Sequence, residues 1–336
     1  MARYCALGIS TAISIALIST TAHAQDDFYR GKTVSVVIGS KSGTLSVAAQ
    51  IVSRHLGRHI PGNPNVIHQQ MPGGAHLVAT GHVYNVPEAN GLTILAVNPQ
   101  VAVAQLMKMP AVRFDIRKFE WLGSSGSDGV LFGIRADLPY TSFKNLQTAP
   151  TELIVGTTGP GSNSYDFPLL LREFGGAKLK LVSGYAANTD IFLALERKEV
   201  DAWTALATTV KPAADRGIVR PLVRARAPVP GLNHLPADED LTTDPVGKSL
   251  MATRGILLSI GRAFAVRPGT PPERVAILRE ALAKTLADPK FQAEAKIATI
   301  DTEHIPAAEV IKGFDDVMSQ PPHVLEAMAK YIKVEK

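Results

Sequence analysis

Apolar and polar positions along the chain alternate in a way that predicts short strands followed by amphipathic helices. Residues 33–38 read TVSVVI, a β-branched run that predicts a strand. The polar segment 39–44 follows, and residues 45–56 then carry apolar side chains at helical spacing up to Gly57. The unit then repeats. Residues 66–68 predict a strand, Met71-Pro72-Gly73-Gly74 a turn and residues 75–84 a helix. Residues 92–97 (LTILAV) predict a third strand, ending at Asn98-Pro99 where another helix begins. A second block of the same kind starts near residue 150, with strands at 153–155 and 179–182 and helices at 165–174 and 189–198. Asp201-Ala202-Trp203 and residues 219–223 complete it. Such alternation predicts an α/β fold with mainly parallel sheets.

Two more apolar runs, residues 131–134 and 256–266, stand where a chain would cross between two blocks. The C-terminal part predicts helices. Thr270-Pro271-Pro272-Glu273 has the pattern of a capping box with proline at the first helical position. Asp288-Pro289, Pro306 and Pro321 would open three further helices. No fixed-period repeat is present, which argues against a solenoid or propeller.

Composition supports a large folded protein. The chain has 336 residues with 46% hydrophobic and 19% charged content, beyond the size at which one core usually divides. A formal charge of +5 is spread thinly and leaves no nucleic-acid footprint. The N-terminus reads differently. Arg3, an uncharged apolar run over residues 6–18 and Ala22-His23-Ala24 before Gln25 form the pattern of a secretory signal peptide, residues 1–24. Cleavage would remove Cys5, the single cysteine, so the exported chain would hold no disulfide or thiolate site. The expected location is a bacterial periplasm.

Motifs for chemistry are largely missing. Gly39-Ser40-Lys41-Ser42-Gly43-Thr44 lacks the lysine that a phosphate loop places directly after its last glycine. Gly159-Pro160-Gly161 lacks the third glycine of a dinucleotide loop, since Ser164 stands there. No G-x-S-x-G elbow occurs. His55 and His59 share a helical face, but no third ligand follows at useful spacing, and cations near a helix C-terminus are ordinary. Arg216, Arg220, Arg224 and Arg226 are expected to form a solvated edge, interrupted by Pro221.

Four small-residue loops remain, at residues 39–44, 71–75, 156–164 and 183–189. Each lies between a strand and a helix, so each offers helix N-terminal N–H groups to an approaching carboxylate. Loops at the carboxyl ends of strands in two lobes predict a ligand cleft.

The ordered set of Gln70-Met71-Pro72-Gly73-Gly74, Asn90-Gly91-Leu92-Thr93, Gly156-Thr157-Thr158-Gly159-Pro160-Gly161-Ser162 and Gly269-Thr270-Pro271 resembles a known family. It is that of the periplasmic receptors of tripartite tricarboxylate transporters, also called Bug receptors. The segment around Ala287-Asp288-Pro289 is similar too, and the likeness runs from about Phe28 to the C-terminus. The resemblance implies a two-lobed fold of the type II periplasmic-binding-protein kind with two crossing strands as hinge. Lobe 1 would comprise residues 25–127 plus 265–336, and lobe 2 residues 128–264. It implies capture of a small organic acid and its delivery to membrane permease subunits by a monomer. No cofactor, metal, catalytic residue or nucleic acid is implied.

By the same resemblance Ser40, Lys41, Ser42 and Thr44 would line one side of the cleft, with Gly74 and Asn98 beside them. Thr158, Gly161, Ser162, Asn163, Gly184 and Tyr185 would line the other, and Thr204 would follow the third strand of lobe 2. The first loop departs from the family pattern: Lys41 adds a cation, which would either pair with a second acidic group or point to solvent. Arg262 replaces a common aromatic and would either clamp a carboxylate or form a structural salt bridge. Tyr165 stands in place of a frequent His, and Arg267 in place of a frequent Pro. Two other readings of the chain are a receptor of an ATP-driven uptake system and a secreted hydrolase. The latter needs a nucleophile–base pair or metal site that the sequence does not offer.

Overall fold

The computed structural model describes residues 28–331. The expected signal peptide, residues 1–24, lies outside them. The chain opens with β1 (Thr33–Ile38), α1 (Thr44–Leu56), β2 (Asn65–Gln70), α2 (Leu77–Tyr84), β3 (Thr93–Val97), α3 (Val101–Leu106) and β4 (Glu120–Ser124). It continues through β5 (Val130–Arg135), α4 (Phe143–Gln147), β6 (Leu153–Thr157), α5 (Asn163–Glu173), β7 (Leu179–Ser183), α6 (Asn188–Glu196), β8 (Ala202–Leu206), α7 (Ala207–Asp215) and β9 (Val219–Arg224). The long helix α8 (Pro245–Ile260) leads into β10 (Ala263–Val266). The chain closes with α9 (Pro272–Ala287), α10 (Pro289–Ile297), β11 (Ile305–Pro306), α11 (Ala307–Met318) and α12 (Pro322–Tyr331).

Two sheets result, ordered β11-β4-β10-β3-β1-β2 and β7-β6-β8-β5-β9. Both are mixed. In the first, β1 runs parallel to β2 and β3, whereas β10 is antiparallel to β3 and β4. In the second, β6 is parallel to β7 and β8, and β5 is antiparallel to β8 and β9. The parallel half of each sheet comes from strand–helix–strand crossovers, which place helices on both faces and bury the strands. Accordingly Val34, Val36, Ile38 and Ile94 pack on one face against α1 and α9, and Val37, Leu95 and Val97 on the other. The second apolar cluster continues through Phe132, Phe167 and Leu257 into the other lobe, and Trp121 stacks on Phe314 at 4.5 Å. Helix α12 packs on α8 and α5.

Of the two apolar runs expected to cross between lobes, residues 131–134 lie inside β5, just past a crossing at 125–129, while residues 256–266 span the end of α8, the second crossing at 261–262 and β10. The two crossings touch. Arg262 N–H donates to the Gly126 carbonyl, Ser125 N–H to the Arg262 carbonyl (both 3.0 Å), and Asp128 N–H to the Leu258 carbonyl (2.8 Å). Gly261, at φ 60°, has no room for a side chain, because a Cβ would sit 2.1 Å from the Gly126 carbonyl oxygen. The Arg262 guanidinium is buried and donates to the Ser127 carbonyl at 3.2 Å, to Asp128 and to the Asp301 carbonyl. It is a structural tie across the crossing.

Other charged residues serve similar ends. Arg220 donates to the carbonyls of Ala136, Leu138 and Tyr140, and Arg224 to those of Leu235, Ala225 and Arg226. The basic stretch is therefore a solvated edge only in part: Arg216 and Arg226 are exposed, while the half-buried Arg220 and Arg224 satisfy loop carbonyls. His55 and His59 bind Glu294 (2.6 Å) and Asp288 (3.0 Å), joining α1 to α10. The capping box expected at residues 270–273 does not form. Helix α9 starts one residue later, with Pro271 as its cap, and the Thr270 hydroxyl turns back to the Arg267 carbonyl at 2.8 Å.

Candidate functional site

The carboxyl ends of β1, β2, β3, β6 and β7 each run through a short loop into a helix, and β8 runs directly into α7. Of the six helices that follow, α1, α2, α5 and α7 have no side-chain hydrogen bond at the N-cap, whereas Asn98 Oδ1 accepts the N-cap N–H of Gln100 at α3 and the Asp190 carboxylate that of Ala187 at α6. Elsewhere α4, α8 and α10 are capped by Ser142, Asp244 and Asp288, and α9 and α11 follow prolines, which offer no side-chain cap. Omitting the cap forgoes about 1 kcal/mol per helix. It leaves first-turn N–H groups available to a ligand carboxylate.

On the first lobe, the loop after β1 and the turn after β2 are packed together. Gln70 Nε2 donates to the Lys41 carbonyl at 3.2 Å. A Cβ on Gly39 would lie 2.6 Å from the His76 Cα, so only glycine permits this approach. The turn pays in backbone strain, with Ala75 at φ 50° and His76 at φ 76°. The buried His76 Nδ1 has no partner, and burial holds its pKa below the ordinary histidine value. Lys41, Ser42 and Gly43 are exposed on the rim, with Ser40 half-buried behind them.

On the second lobe, the loop before α5 is knit by hydroxyls. Ser164 Oγ accepts from Thr158 N–H and contacts the Thr158 and Ser162 hydroxyls at 3.0 and 2.9 Å. Ser162 Oγ donates to the Gly159 carbonyl at 2.7 Å. Tyr185 packs its ring over Gly156, and the neighbouring Gly184 is exposed. Thr204 lies within β8, fully buried, with a hydroxyl that meets no partner.

Two cavities open between the lobes. One, of about 230 Å³, is lined by Ala75, Asn98 and Gln100 from the first lobe and by Gly161, Ser162, Asn163 and Asp166 from the second. Helix α8 adds Thr253, Arg254 and Leu257, and α12 adds Met328. The other, of about 730 Å³, lies by the crossing segments and is lined by Thr44, residues 126–129, the start of α7 and Arg262. The structure thus brings Asn98, Gly161, Ser162 and Asn163 to the first cavity and Thr44 to the second. Ser40, Lys41, Ser42, Gly74, Thr158, Gly184, Tyr185 and Thr204 line neither.

Sequence reasoning missed the charged wall of the smaller cavity. Asp166, in the first turn of α5, accepts from Gly161 N–H at 3.1 Å. Arg254 donates to Asp238 at 2.6 Å, reaches Asn163 Oδ1 at 3.5 Å and lies over the Phe167 ring at 4.1 Å. All three charged residues are buried. Burial pushes the Asp166 carboxyl up to about 7 against the pull of Gly161 N–H and Arg254, and raises Asp238 as well. The available signal was a lone charge within an apolar run: Asp166 precedes FPLLL, and Arg254 precedes GILLSI. Among the described residues no group of three His, Cys, Asp or Glu side chains is placed to hold a metal ion.

No protein-family model matches the chain, and no curated protein matches it by sequence. Solved structures do. A TctC solute binding protein from Polaromonas superposes with a TM-score of 0.73 at 19% identity, over 90% of this chain and 99% of its own. The periplasmic binding protein BugD gives 0.58 at 17% identity, over 90% and 98%. MatC from Rhodopseudomonas palustris with bound malate gives 0.58 at 19% identity, over 88% and 99%. At such identities the likeness establishes the fold, which is the two-lobed fold of periplasmic binding proteins.

Proposed function

We propose that the chain is an exported solute receptor of the tripartite tricarboxylate kind, which captures a small carboxylated solute between its lobes and delivers it to a membrane permease. The observation that carries this reading is the set of four helix N-termini without side-chain caps, those of α1, α2, α5 and α7, whose first residues Thr44, Leu77, Asn163 and Ala207 line the two cavities between the lobes. A carboxylate accepts several N–H donors at once, and preorganised donors hold it without a counter-ion. MatC, with which the chain shares its fold, carries malate, which supports an acidic solute here.

Capture proceeds by closure. The solute meets the amides of one lobe, and the second lobe adds contacts that exist only in the closed state. Residues 125–129 and 261–262 are the flexing points, since the two crossings touch there and the Arg262 tie holds them in register. The lobes would divide at these segments, with Thr158, Gly184 and Tyr185 swinging toward Ser40, Lys41, Ser42 and Gly74. Thermal-shift measurements against small mono-, di- and tricarboxylic acids and amino acids test the reading. A ligand at a hundred times its Kd adds about 2.7 kcal/mol to the folded state. A clear rise in Tm with at least one acid is the expected result. No rise with any member at millimolar concentration would refute it.

A further inference from the structure

The smaller cavity has an uneven charge balance. Asp166 and Asp238 are both buried, and Arg254 is the one cation among the residues that line the cavity with Asp166. Asp238 takes the guanidinium by its Nη2 at 2.6 Å, and Phe167 covers its face. Asp166 is left with a single donor, the Gly161 N–H, on one oxygen. Two carboxylates therefore share one guanidinium, and the second Asp166 oxygen has no donor from the protein. A second group on the same wall is also unmatched: Thr253 is 1% exposed, lines the cavity, and its hydroxyl has no hydrogen-bond partner. Leu77, Val101, Met109, Leu257 and Met328 make the remaining wall apolar.

Resting on the receptor reading above, we propose that the solute carries an ammonium group, which sits on Asp166 with the Thr253 hydroxyl as a second acceptor. The ligand class is then an amine-bearing carboxylic acid rather than a plain di- or tricarboxylate. Its carboxylate takes first-turn N–H groups of α5, one turn or less from Asp166, and its carbon chain lies on the apolar wall. The ammonium supplies the charge that the buried pair lacks, and a charge-assisted bond to a buried carboxylate is among the stronger polar contacts available. An amine-free acid of the same shape leaves Asp166 facing a carboxylate or a methylene, so it is rejected.

Calorimetric titration with matched pairs tests the assignment: L-aspartate against succinate, L-glutamate against glutarate, L-leucine against 4-methylpentanoate, and L-phenylalanine against 3-phenylpropanoate. The expected result is that the amine-bearing member of at least one pair binds tenfold or more tighter. Asp166→Asn should then cost that member tenfold or more and erase the difference within the pair, whereas Thr253→Val should weaken it less. Circular dichroism establishes that each variant is folded. Amine-free acids binding as tightly as their partners, with affinities that Asp166→Asn leaves unchanged, would overturn the ammonium assignment while the receptor reading stands. No binding by any of the eight compounds to the wild-type protein overturns the assignment and counts against the receptor reading.

Discussion

Replacing Asp166 by Asn should stabilise the free protein, and the size of the gain should depend on pH. The Asp166 carboxyl is raised from 3.8 to about 7, chiefly by burial. Between those values the native state binds more proton than the unfolded chain does, so stability falls as pH rises through the window and levels off above it. The shift of roughly three units corresponds to about 4 kcal/mol at pH 8, and to less than about 1 kcal/mol at pH 4, where the native carboxyl is protonated and the unfolded one is only partly ionised. Asparagine fills the same volume and can accept the Gly161 N–H bond without carrying the charge. The contribution of Asp128, whose carboxyl is also raised but which pairs with Arg262, cancels in the difference between variant and wild type, whereas Asp238 shares Arg254 with Asp166 and its change is part of the measured effect. Urea midpoints of both proteins at pH 4 and pH 8 measure that difference. A variant no more stable than wild type at pH 8, or a difference that does not change with pH, would refute the reasoning. A site that stabilises itself poorly when empty is what a charge kept for a ligand requires.

Three further outcomes follow from the crossings and the first loop. Gly261→Ala should destabilise the protein by about 2–4 kcal/mol, because the added Cβ collides with the Gly126 carbonyl at a positive φ; a urea midpoint within error of wild type would contradict this. Arg262→Met removes donors to the Ser127 and Asp301 carbonyls and to Asp128, and should cost about 2–4 kcal/mol in the same assay. Gly39→Ala should displace the 73–76 turn and lower solute affinity severalfold, with only a small change in Tm, since the collision is with His76 at the cleft edge; unchanged calorimetric affinity would count against that placement.

The local pattern was legible because it depends on neighbours in sequence. The TVSVVI run became β1 with the expected ends, and the loops at 39–44 and 156–164 fell between strand and helix as read. What could not be read depends on partners far along the chain. Gly39 and Gly261 look like ordinary loop glycines until packing brings His76 and Gly126 against them. Asp166 and Arg254 stand in separate apolar runs, and their shared wall exists only once α5 meets α8. The capping-box pattern at 270–273 failed for a local reason: with Pro271 as the cap, Glu273 falls at the second helical position rather than the third. The mixed character of the sheets was also hidden, because an antiparallel return after a crossing leaves no mark in periodicity.

Closure of the two lobes over a bound acid can be read directly from a distance across the gap. Val78 on α2 and Leu193 on α6 are exposed, one on each lobe, and a chain expressed from Gln25 lacks Cys5, so Val78→Cys and Leu193→Cys can carry a pair of spin labels. Pulsed dipolar spectroscopy should give a longer, broader distance distribution for the free protein. Saturation with the tightest acid should shift it to a shorter, narrower one. A distribution identical with and without saturating ligand would contradict capture by closure.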